Sequence, residues 1–223
     1  YIWCVRESGR LRTLAARGGR GRRSGEKAGR THQREKTNTK TVESLGSNMS
    51  TDLVAQFTEA TPETVERVIR TDPDGFEATI AELVVEPAVG APLPSEDVSL
   101  DGTVVNTEPS VAELESAETG VAQAGTAVAQ YGTVSIESRP GGDELVSLYP
   151  PRHIVVVDDD DIVPDMVAAF DRFEEAVRDA RENGGPGASR ALATGPSSTG
   201  DIGAIVQGVH GPTEVFIVIV EDR

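Results

Sequence analysis

Between Thr194 and Pro212 the chain gathers the groups a small polar site needs. Ser197, Ser198 and Thr199 supply three hydroxyls and Asp201 a carboxylate. His210 is the last of the chain's three histidines. Gly195, Gly200, Gly208 and Gly211 punctuate the same stretch, and glycine allows tight turns and close approach of backbone to a ligand. Ser197, Ser198, Thr199 and Asp201 are all able to cap a helix. A strand entering at Ala191–Thr194 is therefore expected to break into a helix start here, where free backbone N–H groups can hold an anion.

Each of these residues has a chemical and a structural reading. The Ser-Ser-Thr cluster could hold a phosphate or carboxylate, or simply cap a helix and shape a turn. Asp201 could orient a ligand hydroxyl or pair with His210; it could equally be a first-turn acid favoured by the helix dipole. His210 titrates near neutral pH and could serve as acid or base, or it could hydrogen-bond the turn around it. The candidate catalytic residues are therefore His210 and Asp201. The candidate ligand-binding residues are Gly195, Ser197, Ser198, Thr199, Gly208 and Gly211. A Ser-His-Asp hydrolase built from Ser197 or Ser198, His210 and Asp201 is disfavoured, because the chain lacks a Gly-x-Ser-x-Gly elbow there.

The elements that must position these groups read as mixed α/β. Thr61-Pro-Glu-Thr has the form of a helix start, with Val65, Val68 and Ile69 on one face. Phe76, Ile80, Leu83 and Val84 form a second helical stripe. Pro87–Asp97, with three prolines, reads as a loop. Short apolar runs at Thr103–Val105, Ala127–Ala129, Thr133–Ile136, His153–Val157, Ala191–Ala193 and Val215–Val220 read as strands. A long helix is expected over Pro164–Glu182, burying Met166, Val167, Phe170, Phe173 and Val177. Strand alternating with helix implies a largely parallel sheet with crossover helices. In such sheets ligands sit beyond the carboxyl ends of strands. That rule would place both Thr194–Thr199 and Asp158–Asp161 at the site. The four aspartates could bind a divalent cation, but they read better as a solvated loop, with Asp161 or a neighbour capping the long helix. No metal site is assigned. His153, at a strand start, reads as structural.

Charge divides the chain. Residues 1–48 hold twelve Lys or Arg against four acids, whereas the remaining 33 of the 37 acids face only nine basic residues, all Arg. Lys is absent after Lys40. Met49-Ser-Thr-Asp-Leu reads as a natural start. Residues 1–48 are thus read as a disordered basic tail from upstream translation, and residues 49–223 as the domain. A basic nucleic-acid-binding arm and an Arg-rich transit peptide are the alternatives for the tail. The acidic, Lys-free remainder repels nucleic acid and anionic membranes and suits a halophilic source. No apolar run reaches the roughly 20 residues that span a bilayer, and no secretory signal is evident; a cytoplasmic location is expected. The single cysteine, Cys4, leaves the domain without thiolates for a disulfide, a nucleophile or an iron–sulfur cluster.

The pairing of Gly195-Pro-Ser-Ser-Thr-Gly-Asp-Ile with Gly208-Val-His-Gly-Pro resembles the LUD domain of lactate utilisation protein C. That family carries Gly-Pro-Ser-x-Thr-Ala-Asp-Ile-Glu followed by Gly-Val-His-Gly-Pro. Gly200 stands where the family has Ala, and Gly203 replaces its acidic residue, removing a carboxylate. The resemblance extends back to about Thr119, through Ala129-Gln-Tyr-Gly-Thr-Val-Ser-Ile and Leu145-Val-Ser-Leu-Tyr-Pro. Gln130 replaces an acid that often precedes the Tyr-Gly pair. The resemblance implies a fold similar to ribose-phosphate isomerases, CoA transferases and 5-formyltetrahydrofolate cyclo-ligases. It also implies a part in oxidising L-lactate to pyruvate beside iron–sulfur partner proteins, with no cofactor in this chain and a small anionic ligand at the motif. The alternatives are a free-standing isomerase or cyclo-ligase acting on a small phosphorylated or carboxylated substrate, and a ligand-binding regulator without catalysis.

Overall fold

The computed structural model describes residues 3–4, 52–182, 189–197 and 210–221. Its centre is a five-stranded, all-parallel sheet in the order β2-β10-β7-β4-β3. These strands are β2 (Arg67–Thr71), β3 (Ala88–Gly90), β4 (Thr119–Gln123), β7 (Arg152–Asp158) and β10 (Glu214–Val220). A second, mixed sheet runs β1-β9-β6-β5-β8. It comprises β1 (Trp3–Cys4), β5 (Thr126–Val128), β6 (Thr133–Glu137), β8 (Ile162–Val163) and β9 (Arg190–Ala193). The expected α/β class is found. The expected single sheet is divided, because Ala127, Thr133 and Ala191 lie in strands of the mixed sheet.

β7 and β10 are apolar almost throughout because both faces of the parallel sheet are covered. Val155, Val157, Ile217 and Ile219 point one way. They pack on Val54 and Phe57 of α1, a helix over residues 52–60, and on Ala127, Val134 and Ile136 of the mixed sheet. Ile154, Val156, Phe216 and Val218 point the other way, onto Phe76, Ile80 and Leu83 of α2 (Pro73–Leu83). The second helical stripe read from the sequence is this helix. Asp72 caps it by accepting from the Gly75 N–H at 2.8 Å, and Pro73 opens it.

The helix start expected at Thr61 is instead a helix end. Thr61 N–H and Oγ1 both donate to the Phe57 carbonyl, at 3.0 and 2.8 Å, and Pro62 has no N–H with which to continue the helix. The chain turns and enters β2. There Val68 faces the α1 side and Ile69 the α2 side, so the pleat splits a pair that a helix would have kept together.

Thr103–Val105 is a turn, closed by Thr103 donating to the Leu100 carbonyl, and not a strand. The stretch Pro87–Asp97 is not all loop, because β3 lies within it. The long helix is present as α5 (Met166–Glu182), capped by Asp165 accepting from Ala168 N–H at 2.9 Å, not by Asp161. It docks through Met166, Ala169 and Phe173 onto Val128 and Val163, whereas Val167 and Phe170 are 71% and 54% exposed. The two short helices α3 (Val111–Ser116) and α4 (Asp143–Leu148) cover the β4 end of the sheet.

Candidate functional site

The two turns of the sequence motif meet. β9 ends at Ala193, and Gly195 then adopts φ +81°, a left-handed turn that favours glycine. Two residues on, Ser197 N–H donates to the Pro212 carbonyl at 2.8 Å. Gly211, at φ +84°, turns the chain into β10. His210 is half-buried beside it. The structure therefore brings Gly195, Ser197, His210 and Gly211 into one junction. Ser198, Thr199, Asp201 and Gly208 lie outside the described residues, as does the helix start expected there.

The junction lies at the opposite end of the parallel sheet from the expected one. Gly195 packs beside Thr64 and Val65, which precede β2, and Pro212 precedes β10. Both mark the amino-terminal edge. The carboxyl-end rule failed here because β9 belongs to the mixed sheet, antiparallel to β6, and does not run with the parallel strands.

Along the same edge opens a cleft of about 360 Å³, lined by Glu115, Ala117, Glu118, Tyr149, Pro151, Gly211 and Thr213. Its lining carries two glutamates and no basic side chain, so an anion there would depend on backbone N–H groups, hydroxyls and the neighbouring His210. Register sets a buried row one residue inside the amino edge of β4, β7 and β10. Gly120, His153 and Val215 are in-register partners on one face of β4, β7 and β10. A Cβ on Gly120 would stand 2.1 Å from the Val146 carbonyl, so only glycine lets the end of α4 close over this face. Pro150 cannot donate to that carbonyl as the fourth residue on. His153, 4% exposed, has a ring Nε2 with no hydrogen-bond partner. Burial pushes its pKa down to about 4, so the ring is neutral.

The carboxyl edge holds a different constellation. Asp158 ends β7 and accepts from Gln123 Nε2 at 2.7 Å. Gln123, at the end of β4 and 2% exposed, also accepts from Ser95 N–H at 3.2 Å. Partial burial, then the charges of Asp161, Asp97 and Asp159, push the Asp158 carboxyl up to about 6 against the pull of the Gln123 bond. Asp161 is also raised, by burial, although Arg172 reaches it at 2.9 Å. Arg139 donates to the Gln123 carbonyl at 3.2 Å and pairs with the buried Asp143. Among the described residues no three His, Cys, Asp or Glu side chains converge as a metal-ligand set. Asp158 and Asp161 turn to separate partners instead.

Sequence reasoning did not single out Gln123, Arg139 or Asp143. Gln123 alone carried a signal, as an amide closing a buried run of small residues.

A model of the LUD domain matches residues 39–220. The chain belongs to the LUD domain family. This LUD-domain chain is 33% identical over 144 residues to lactate utilization protein C of Deinococcus radiodurans, covering 63% of each protein. It is 37% identical over 79 residues to lactate utilization protein C of Bacillus velezensis, covering 35% of this chain and 32% of that one. The matched regions thus span less than two thirds of either relative. The crystal structure of a DUF162 family protein from Deinococcus radiodurans superposes with a TM-score of 0.57 at 24% identity, over 77% of this chain and 98% of that one. At that identity the likeness speaks for the fold. No helix among the described residues is long and apolar enough to cross a membrane.

Proposed function

We propose that this LUD-domain chain is an accessory or ligand-binding subunit of an iron–sulfur system that oxidises L-lactate to pyruvate. The observation that carries the proposal is the junction of Gly195–Ser197 with His210–Pro212, the described part of the double motif, in a chain whose matched relatives are named lactate utilization protein C. In this reading Gly195, Ser197, Ser198, Thr199, Gly208 and Gly211 hold a small anionic ligand, and His210 and Asp201 move or hold its protons. A cluster conventionally takes four thiolates, whereas these 223 residues contain one cysteine. In this reading the clusters belong to partner proteins.

The test is lactate-dependent dye reduction in extracts of the source strain, of a strain lacking the gene, and of that strain carrying the full chain. Loss on deletion and rescue by the wild type are expected. His210→Ala should fail to rescue while giving a wild-type circular dichroism spectrum, because the residue is only half-buried and lies outside the named strands and helices. Unchanged lactate oxidation on deletion refutes the role and turns attention to small phosphorylated acids as ligands. Full rescue by His210→Ala removes the histidine from the mechanism.

A further inference from the structure

Beyond β9 the mixed sheet has no further strand except the two residues of β1. An edge strand offers a row of backbone N–H and C=O groups to any extended segment that meets it. Ladder geometry shows which groups of β9 face outward. Ser138 N–H donates to the Ser189 carbonyl at 2.9 Å. In an antiparallel ladder such bonded pairs alternate with unbonded ones, so Ile136 with Ala191 and Val134 with Ala193 bond across β6 and β9 as well. The N–H and C=O of Arg190 and Leu192 therefore point away from β6. On that side Trp3 stands opposite Leu192, and Cys4 opposite Ala191.

Other sheet edges among the described residues are closed, charged or short. Outside β3, Gly90 N–H donates to the Asn106 carbonyl at 2.9 Å, and Asn106 N–H to the Ala88 carbonyl at 3.0 Å. β2 carries Arg67 and Arg70, and β8 has only two residues. On β9 the one charged residue is Arg190. Its guanidinium is committed to Glu137 at 2.7 Å and lies over the Phe173 ring, so it does not guard the edge.

We propose that the outer edge of β9 is a docking site for an extended segment, and that its occupant is this chain's own stretch around Trp3–Cys4, held reversibly in cis. Composition suits the stretch to the edge: Tyr1-Ile-Trp-Cys-Val is an uncharged run rich in residues that favour strands. Charge draws it in. Residues 5–48 hold twelve Lys or Arg against four acids, and residues 49–223 hold 33 acids against nine Arg. Residues 5–51 tether it, which makes docking intramolecular and raises its effective concentration above that of a free copy. Reversibility follows from the extent of the pairing. β1 pairs through two residues, whereas β6 and β9 pair through four. Two paired residues offset little of the entropy lost in ordering them.

The measurement is residue-resolved amide hydrogen exchange of the full chain. In the wild type the outward Leu192 N–H should be protected, to an extent that does not depend on protein concentration. Trp3→Pro removes the donor opposite Leu192 and should lower Leu192 protection at least about tenfold. Ala191 and Ala193, bonded to β6, should keep theirs, which separates loss of docking from unfolding. An excess of a synthetic peptide of residues 1–12 should then restore protection at Leu192 in the Trp3→Pro protein. An unprotected Leu192 in the wild type overturns the proposal, as does unchanged protection in Trp3→Pro. Protection that falls on dilution gives the edge to a second copy and overturns docking in cis. Failure of the peptide to restore protection overturns the reversible site. Absence of peptides from residues 1–48 in the protein isolated from its source overturns the occupant.

Discussion

Two groups on β7 make the fold's stability depend on pH in opposite senses, and Asp158→Asn separates them. His153 is held neutral, down at about 4 against an ordinary 6.5, while the unfolded chain takes up its proton from pH 6.5 downward. Its contribution is therefore intact above pH 6.5 and lost as pH falls towards 4. The difference corresponds to about 3 kcal/mol. Asp158 is held protonated up to about 6 against 3.8. Its contribution is intact below 3.8 and lost as pH rises through 6. The bare figure is again about 3 kcal/mol, but the carboxyl is only half-buried, and solvent screening reduces it to about 1.5 kcal/mol. From pH 4 to pH 7 the wild type thus gains only the difference from this pair, about 1.5 kcal/mol. Asp158→Asn removes the opposing member, so its stability should rise by about 3 kcal/mol from the pair over the same range. Urea unfolding of both proteins at a series of pH values measures this. Carboxylates remote from Asp158 are common to the two chains and cancel in the comparison; Asp97, Asp159 and Asp161, which feel its charge, contribute to the difference. Parallel stability profiles for wild type and Asp158→Asn would refute the assignment of a raised carboxyl to β7.

Other expectations follow from packing. Gly120→Ala places a methyl 2.1 Å from a backbone oxygen that belongs to α4 and cannot swing aside. The cost should be at least about 2 kcal/mol in urea unfolding, with loss of ligand response at the amino-edge cleft as α4 shifts. Phe170→Ser, by contrast, changes a half-exposed ring that meets Phe173 edge-on, so stability should change by less than about 1 kcal/mol. A large loss there would mean that the outer face of α5 is covered by something in solution.

Much of this was legible in the residues. The strands β5, β6, β7, β9 and β10 and the helices α2 and α5 follow from apolar runs and stripes, because burial selects those patterns directly. The failures are also physical. Thr61-Pro62 reads the same way whether a helix begins or ends there, since threonine can cap a start or bond back to a preceding carbonyl. Only the tertiary pairing of β2 with β10 decides between them. On α5 the stripe is real, but the face was misjudged by one position, because docking through the small Ala169 turns Phe170 outward. β3 and β4 escaped notice because glycine, alanine and threonine give little pattern. The edge at which the motif's two turns meet was misread, because the direction of β9 depends on which sheet it joins.

The seven residues of β7 span roughly 20 Å. Pro151, at the margin of the cleft, precedes the strand, and Asp158, at the carboxyl edge, ends it. A ligand seated at the amino edge is therefore too far from Asp158 for direct contact. The strand between them is paired on both sides and packed on both faces, so it transmits little except by moving as a whole. Free-energy changes made at its two ends should simply add. The molecule thus carries two addresses on one beam: changes at the edge bearing the sequence motif should leave the Gln123–Asp158 pair at the other end undisturbed.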